Sequence, residues 1–329
     1  MWIDHYRQML ESGKIETIPW ETKIPDDPYG NTLAHWAAER QLLPANFSNW
    51  MLHNLHEETV IEVAINAGWL PDGFGHWDLP LKHYGLKVAH LAAEKGLLPS
   101  SFDRWGIAAE DGKTVAHILA ENDKLPDHVL SHPVMWQCDR DGMSVFHLLA
   151  RNQKLPENFS RWEYAGNLGW AVAHEAATVT GLDKDFPLWH LHCEDGISVA
   201  RVALMYHALP EGFSRWDIED VDGLTIAHKI VSSSGAFSLP EGFDQWTLED
   251  RMGRSVAHTA LAHDALSPDF SQWDIVDRSG ETVEDCLKRM MKEEAAPPLN
   301  SFSHYEAWKL RQNVANIAKV SPGLHKKAF

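Results

Sequence analysis

Residues 84–105 read YGLKVAHLAAEKGLLPSSFDRW, and residues 111–130 read DGKTVAHILAENDKLPDHVL. These stretches decide the fold, because the second is nearly the first written again. The same phrase returns as DGMSVFHLLARNQKLPENFSRW at 141–162 and as DGLTIAHKIVSSSGAFSLPEGFDQW at 222–246. Working outward, ten of the 15 tryptophans keep one beat: Trp20, Trp50, Trp77, Trp105, Trp136, Trp162, Trp189, Trp216, Trp246 and Trp273. Histidine keeps it too, at His35, His90, His117, His147, His174, His228 and His258. Glu62, Arg201 and Asp285 hold that slot in three other units, and His5 stands where the series would begin. The unit is about 27 residues and there are about eleven of them, so the chain is a repeat array rather than two ordinary domains.

Each part of the unit has a physical reading. Asp-Gly is a turn signal, because glycine accepts a positive φ. The Thr or Ser that follows (Thr32, Thr59, Thr114, Ser144, Ser198, Thr225, Ser255, Thr282) suits a helix N-cap. V-A-H-x-A-A is a short helix whose small residues let neighbours approach closely. Gly96, Asn122 and Asn152 are placed to end such helices in the left-handed conformation. Leu-Pro then opens a second helix. In it Phe and Trp three apart (Phe47/Trp50, Phe74/Trp77, Phe102/Trp105, Phe159/Trp162, Phe186/Trp189, Phe213/Trp216, Phe243/Trp246, Phe270/Trp273) share one face. That second helix is barely two turns long, and the large aromatics compensate for its size. The tryptophans read as a stacked core.

Turn, T-x-x-H, small-residue helix, second helix and acidic turn together resemble the ankyrin repeat, whose signature is T-P-L-H-x-A. The matching strings are NTLAHWAAE (31–39), KTVAHILAE (113–121), MSVFHLLAR (143–151), LTIAHKIVS (224–232) and RSVAHTALA (254–262). The resemblance covers roughly residues 2–290. This unit is shorter, and Val, Leu or Ile replaces the motif's proline. The resemblance implies an all-α solenoid of about eleven stacked helix-turn-helix repeats with hairpin-like connectors. It implies a structural His that bridges the Thr three residues earlier and neighbouring backbone. It also implies protein–protein recognition without catalysis. Lys87/His90 and Ala171/His174 lack the hydroxyl of that pair.

The expected organisation is an N-terminal capping repeat and connector at 1–30, the repeat solenoid at 31–294, and a linker with a C-terminal helix at 295–329. The helix in 2–20 (WIDHYRQMLE) and the lengthened, charged last repeat helix at 282–294 (TVEDCLKRMMKEE) are the expected caps, and the amphipathic segment 303–320 is expected either to fold back as a cap or to serve as a docking segment. Extra residues fall in the connector 21–30 (ETKIPDDPYG), in 125–136 and between His228 and Leu239.

Lys and Arg number 29 and Asp and Glu 47 in 329 residues, a formal charge of −18. That excess disfavours direct nucleic-acid binding and docking on anionic membranes. No stretch approaches the ~20 apolar residues of a membrane span. No signal-peptide pattern opens the sequence, so the cytoplasm is the expected compartment, or a host cell reached without such a signal. Cys138, Cys193 and Cys286 lie far apart, in no metal-type spacing.

The repeated histidines recur once per unit, about 10 Å apart in a helix stack, too far to share a metal. His190, His192 and Cys193, or His128 and His132, offer too few ligands. No nucleophile elbow, phosphate loop or dinucleotide fingerprint appears, so the protein reads as a non-enzyme with no cofactor and no metal.

The acidic residues are ordered, falling between each Trp and the next Asp-Gly: Glu110, Asp111, Asp139, Asp141, Glu194, Asp195, Asp217, Glu219, Asp220, Asp222, Glu249, Asp250, Asp274 and Asp277. A stack lines them up as an anionic ridge able to steer and hold a basic protein partner. The expected function is a protein-interaction module working through hairpin tips and the first-helix face. The alternative is an inhibitor, of the phage anti-defence or toxin-immunity kind, that blocks a nuclease or other nucleic-acid-binding protein with that ridge.

Overall fold

A computed structural model describes residues 5–6, 8–9, 18–44, 46–82, 85–166, 169–233, 237–292 and 299–320, and the side chains of the last helix as far as residue 312. Two compact units emerge: Met1–Phe159 with Tyr164–Leu168, and Ser160–Glu163 with Gly169–Phe329. The helices of the first are α1 (Leu33–Glu39), α2 (Val60–Asn66), α3 (Val88–Lys95), α4 (Val115–Glu121) and α5 (Val145–Arg151). Those of the second are α6 (Val172–Ala176), α7 (Val199–Met205), α8 (Ile226–Val231), α9 (Val256–Ala262), α10 (Val283–Lys292) and α11 (Leu299–Val320). Among the described residues there is no strand, only isolated bridges such as Ala108 to Thr114 and Glu249 to Ser255. The architecture is the expected all-α repeat, with each helix packed on the next within its unit.

Seven-residue helices are too short to persist alone and stand only because they stack. The small residues make the stacking close: Ala34, Ala37, Val60, Ala64, Val88 and Ala89 are wholly buried. Each helix begins where the sequence places a cap. Thr59, Thr114, Ser198, Thr225 and Ser255 are extended, and their hydroxyl oxygens accept the N–H three residues on. The first two helical N–H groups are satisfied from outside the helix. Ile61 N donates to Trp50 O (3.1 Å) and Val60 N to Leu52 O (3.1 Å); Ala200 N and Val199 N use Trp189 O (3.0 Å) and Leu191 O (2.9 Å). Each tryptophan therefore serves the helix that follows with its carbonyl as well as with its ring.

The second element of the unit is the main departure from expectation. L-P-x-x-F-x-x-W forms two successive turns and no helix. In the first, Phe47, Phe102, Phe213 and Phe243 donate N–H to Pro44, Pro99, Pro210 and Pro240 O at 2.9–3.1 Å; in the second, Leu52 and Leu191 donate to Asn49 and Leu188 O. The carbonyls of Trp and of the residue two beyond it go to the next helix, so the chain does not run on from these turns as a helix past Trp. The helix ends differ slightly too. Gly96 is left-handed as expected, but Asn122 and Asn152 are not; the following Asp123 (φ 59°) and Gln153 (φ 57°) take that conformation.

Phe and Trp do not share a helix face; they interleave. In the first unit the rings run Trp20, Phe47, Trp50, Phe74, Trp77, Phe102, Trp105, each edge-to-face with the next at 4.9–5.5 Å between centroids. In the second they run Trp162, Phe186, Trp189, Phe213, Trp216, Phe243, Trp246, Phe270, Trp273 at 4.9–6.1 Å. Edge-to-face contact sets the positive ring edge against the negative ring face and adds about 0.5–1.5 kcal/mol per pair beyond burial. In the first unit the lengthened segment 125–136 breaks the pattern. It folds into 3₁₀ turns at Asp127–Ser131 and Pro133–Trp136, His128 meets Trp105, and Trp136 turns to Phe146 and Tyr164.

At the other end of the second unit α11 closes the ladder. Tyr305 packs on Trp273 (5.0 Å) and donates its hydroxyl to Glu284 (2.7 Å), while Asp264 accepts the N–H groups of Asn300 and Ser301 (3.2 and 2.8 Å). Most of the expected N-terminal helix, residues 293–298 of the expected linker, and residues 321–329 lie outside the described residues.

Candidate protein-interaction surface

The surface rests on a frame of buried imidazoles. In the first unit His117 Nδ1 accepts the Thr114 hydroxyl (2.7 Å) and backbone N–H (3.1 Å), and its Nε2 faces Met143 O of the next repeat (3.0 Å). Because Nδ1 accepts, the proton lies on Nε2, which donates across the repeat boundary. His35 to Glu58 O (3.1 Å), His90 to Lys113 O (3.0 Å), His174 to Ile197 O (3.2 Å), His228 to Arg254 O (3.0 Å) and His258 to Glu281 O (3.1 Å) repeat this. Where Lys87 and Ala171 supply no hydroxyl, the backbone bond survives: Lys87 N to His90 Nδ1 is 3.1 Å, and Ala171 N to His174 Nδ1 is 3.2 Å. Burial lowers the pKa of His35, His90, His117 and His228 against the opposing pull of the carbonyls. A proton on Nδ1 would also point at an N–H.

Two of the three substitutions in this slot, Glu62 and Arg201, are compensated locally. Buried Glu62 accepts the Thr59 N–H (2.7 Å) and hydroxyl (2.6 Å). Arg201 cannot accept, so Asp220 of the next repeat takes the Ser198 N–H (3.1 Å) and pairs with Arg201 (3.7 Å).

The fourteen carboxylates of the expected ridge separate into two sets. Asp139, Asp220 and Asp250 are 6%, 5% and 3% exposed, so they do not offer themselves to a partner. Asp139 and Asp250 shape the hairpins instead, and Asp220 serves Ser198 and Arg201 of the preceding repeat. Asp139 accepts Met143 N (2.9 Å), and Asp250 accepts Met252 N and Arg254 N (both 2.9 Å). Half-buried Asp111 and Asp277 act in the same way, accepting Lys113 N (3.0 Å) and Ser279 N (2.8 Å). Burial raises the Asp250 pKa, but the Arg254 N–H and guanidinium together outweigh it and hold it low; the Ser279 hydroxyl does the same for Asp277. Glu110, Asp141, Glu194, Asp195, Asp217, Glu219, Asp222, Glu249 and Asp274 are exposed.

The exposed carboxylates share the hairpin tips with other chemistry. Consecutive tips are stapled by one backbone bond each: Arg140 N to Asp111 O (2.7 Å) in the first unit, Val221 N to Gly196 O (3.1 Å), Arg251 N to Gly223 O (2.9 Å) and Arg278 N to Gly253 O (2.9 Å) in the second. This close approach is why the tips need glycine. Gly223 has φ +75°, and a Cβ there would lie 2.5 Å from that of Arg251. Arginines therefore alternate with acids along the row, and Arg278 pairs with Glu249 (3.4 Å). Large apolar side chains stand out beside them. Tyr29 and Leu55 in the first unit are 55% and 67% exposed; Val221, Met252 and Val276 in the second are 62%, 72% and 51% exposed.

In the first unit the tips adjoin the first-helix face, where Trp36, Val63, Leu91 and Ile118 occupy equivalent positions. Between α1 and α2 a cavity of about 580 Å³ is lined by Tyr29, Trp36, Arg40, Glu58 and Val63, with the Arg40 guanidinium 5.0 Å above the Trp36 ring. Sequence reading missed the apolar tip residues, because single exposed Leu, Val or Met residues carry no periodic signal. Among the described residues no group of three or more His, Cys, Asp or Glu is placed to hold a metal ion. Nor is any helix there long and apolar enough to cross a membrane.

No protein-family model and no curated protein matches the chain. Among solved structures it is similar to the ankyrin repeat domain of Bcl-3, described as a unique member of the IkappaB protein family. The likeness is 12% identity over 78% of this chain and 93% of that one, with a TM-score of 0.27. The ankyrin-like character of the repeat rests on its own geometry: a hairpin tip, a Thr- or Ser-capped helix, and a His that ties Thr to the backbone of the next repeat.

Proposed function

We propose that the protein is a non-catalytic protein-interaction module, and that its hairpin tips and first-helix face contact a partner with a basic surface. The observation that carries this reading is the row of tips in each unit. Tyr29 and Leu55 in the first, and Val221, Met252 and Val276 in the second, are exposed on turns tied by the side chains of Asp27, Asn54, Asp222, Asp250 and Asp277 and by bonds between tips. Rigid apolar anchors inside a charged rim lose little entropy on binding. Exposed carboxylates beside them, in a chain of formal charge −18, favour a partner rich in Lys and Arg.

The alternative, an anionic ridge that mimics nucleic acid, is less well supported. Mimicry needs unbroken negative charge, whereas Arg140, Arg251 and Arg278 interrupt the row. Immobilised protein should retain a partner from extracts of its native host at low salt, keep much of it near 1 M salt, and release none to added DNA. Displacement by DNA together with complete loss at high salt would establish mimicry and remove the module reading.

A further inference from the structure

The second unit carries a groove that the tip surface does not use. Two adjoining cavities of about 840 and 640 Å³ lie along its Pro-x-x-Phe turns. They share Ile230, Phe237, Leu239, Pro240 and Glu241 as a common wall, and no tip residue lines either one. The floor is the aromatic ladder, with Trp216 and Phe213 on one side and Trp246, Leu266 and Phe270 on the other.

The groove falls where the chain is longer than the repeat. The lengthened connection between His228 and Leu239 leads into the Leu239–Phe243 turn. There the step from Trp216 to Phe243 is 6.1 Å, against 5.3, 5.2 and 5.1 Å for the other Trp-to-next-Phe steps of this unit. The ladder is looser at the insertion, with a slot on each side of it. The rim is mainly acidic: Glu211, Glu241, Asp244 and Asp269 are all exposed, and no Lys or Arg lines either cavity, although the Lys184 side chain lies beside Gly212 at one end.

We propose that this groove is a second docking site, for a segment of a partner protein in which Lys or Arg alternates with large apolar side chains. The apolar side chains would enter the slots over Ile230 and the ladder, and the cationic ones would meet the four carboxylates. Net charge disfavours a second copy of the chain as occupant, since it would bring −18 against −18. This site does not depend on the tip surface.

The probe is a fluorescein-labelled octapeptide of alternating Lys with Leu or Phe, titrated against the full chain by anisotropy at about 0.15 M salt. Saturable binding is expected. The double reversal Glu241→Lys/Asp244→Lys should weaken it at least about tenfold, whereas Asp72→Lys/Asp103→Lys, the same charge change at two exposed residues of the first unit outside the tips, should weaken it less than about threefold. A peptide with Ser at the apolar positions should bind at least about tenfold more weakly than the probe. Circular dichroism melts confirm that each variant is folded. Absence of saturable binding, equal losses from the two reversals, or equal binding of the Ser peptide would each overturn the proposal, the last two by showing that overall charge alone holds the peptide.

Discussion

Replacing Trp189 by alanine is expected to lower the unfolding free energy by about 3–5 kcal/mol, among the largest losses available to a single substitution in this chain. The ring is 1% exposed and lies edge-to-face with Phe186 (5.7 Å) and Phe213 (5.2 Å), while its Nε1 donates to Lys184 O (3.1 Å). Alanine leaves a cavity between two repeats and removes both ring contacts. Trp189→Phe, which keeps one ring in the ladder, should lose less than half as much. In a stack, each repeat leans on its neighbours, so the damage should be local at first. Amide exchange should quicken around 186–216 before it changes near 273. Urea titration of the three proteins measures the order. A loss below about 1 kcal/mol for Trp189→Ala would mean that the ladder does not hold the repeats together.

A comparable loss is expected from mild acid. His35, His90 and His117, in the first unit, have pKa values lowered by burial; at His117 the nearby Asp139 and Glu121 oppose the shift without reversing it. In the unfolded chain these imidazoles titrate near the ordinary imidazole value of 6.5. Below that pH the unfolded chain binds protons that the folded chain refuses. Stability from these groups is therefore complete above about pH 6.5 and declines as pH falls beneath it, by up to about 1.4 kcal/mol per pH unit for each histidine. Three such groups make a fall of at most about 3 kcal/mol between pH 6.5 and 5.5 in that unit, because at pH 6.5 the unfolded imidazoles are only half protonated. Denaturation midpoints at pH 7.5, 6.5 and 5.5 test this. The double variant His90→Gln/His117→Gln should be less stable at pH 7.5 but should lose less on acidification. A midpoint constant from 7.5 to 5.5 would show that the rings protonate freely in the folded protein.

What could be read in advance was whatever repeats strictly. The Thr or Ser and His three apart bond each other in most of the repeat helices, so their spacing names the bond: Thr225 to His228 and Ser255 to His258 are both 2.7 Å. The second element was not readable in the same way. Phe three residues after Pro fits a β-turn as well as a first helical turn, and only the structure shows that Trp O is committed to the helix that follows. The acids were misjudged for a related reason. Asp220 and Asp222 are two residues apart and chemically identical, yet one is buried in its hairpin and the other is exposed, paired with Lys229. Position within a turn decides between them, and composition does not record it. The break at 125–136 was visible as extra length, but its redirection of Trp136 toward Phe146 was not.

One account joins these parts. Indole and imidazole hold the stack, and the tips remain free to bind. The most direct test separates the two roles in one pair of proteins. Leu55→Asp/Met252→Asp alters only exposed tip side chains, whereas His117→Ala removes a wholly buried ring with three hydrogen bonds. Both are measured for unfolding midpoint and for affinity to the retained partner at neutral pH. The tip variant is expected to keep its midpoint and lose at least about tenfold in affinity; His117→Ala should lose about 2 kcal/mol or more of stability and keep its affinity while folded. Unchanged affinity in the tip variant, or lost affinity with full stability in His117→Ala, would contradict the account.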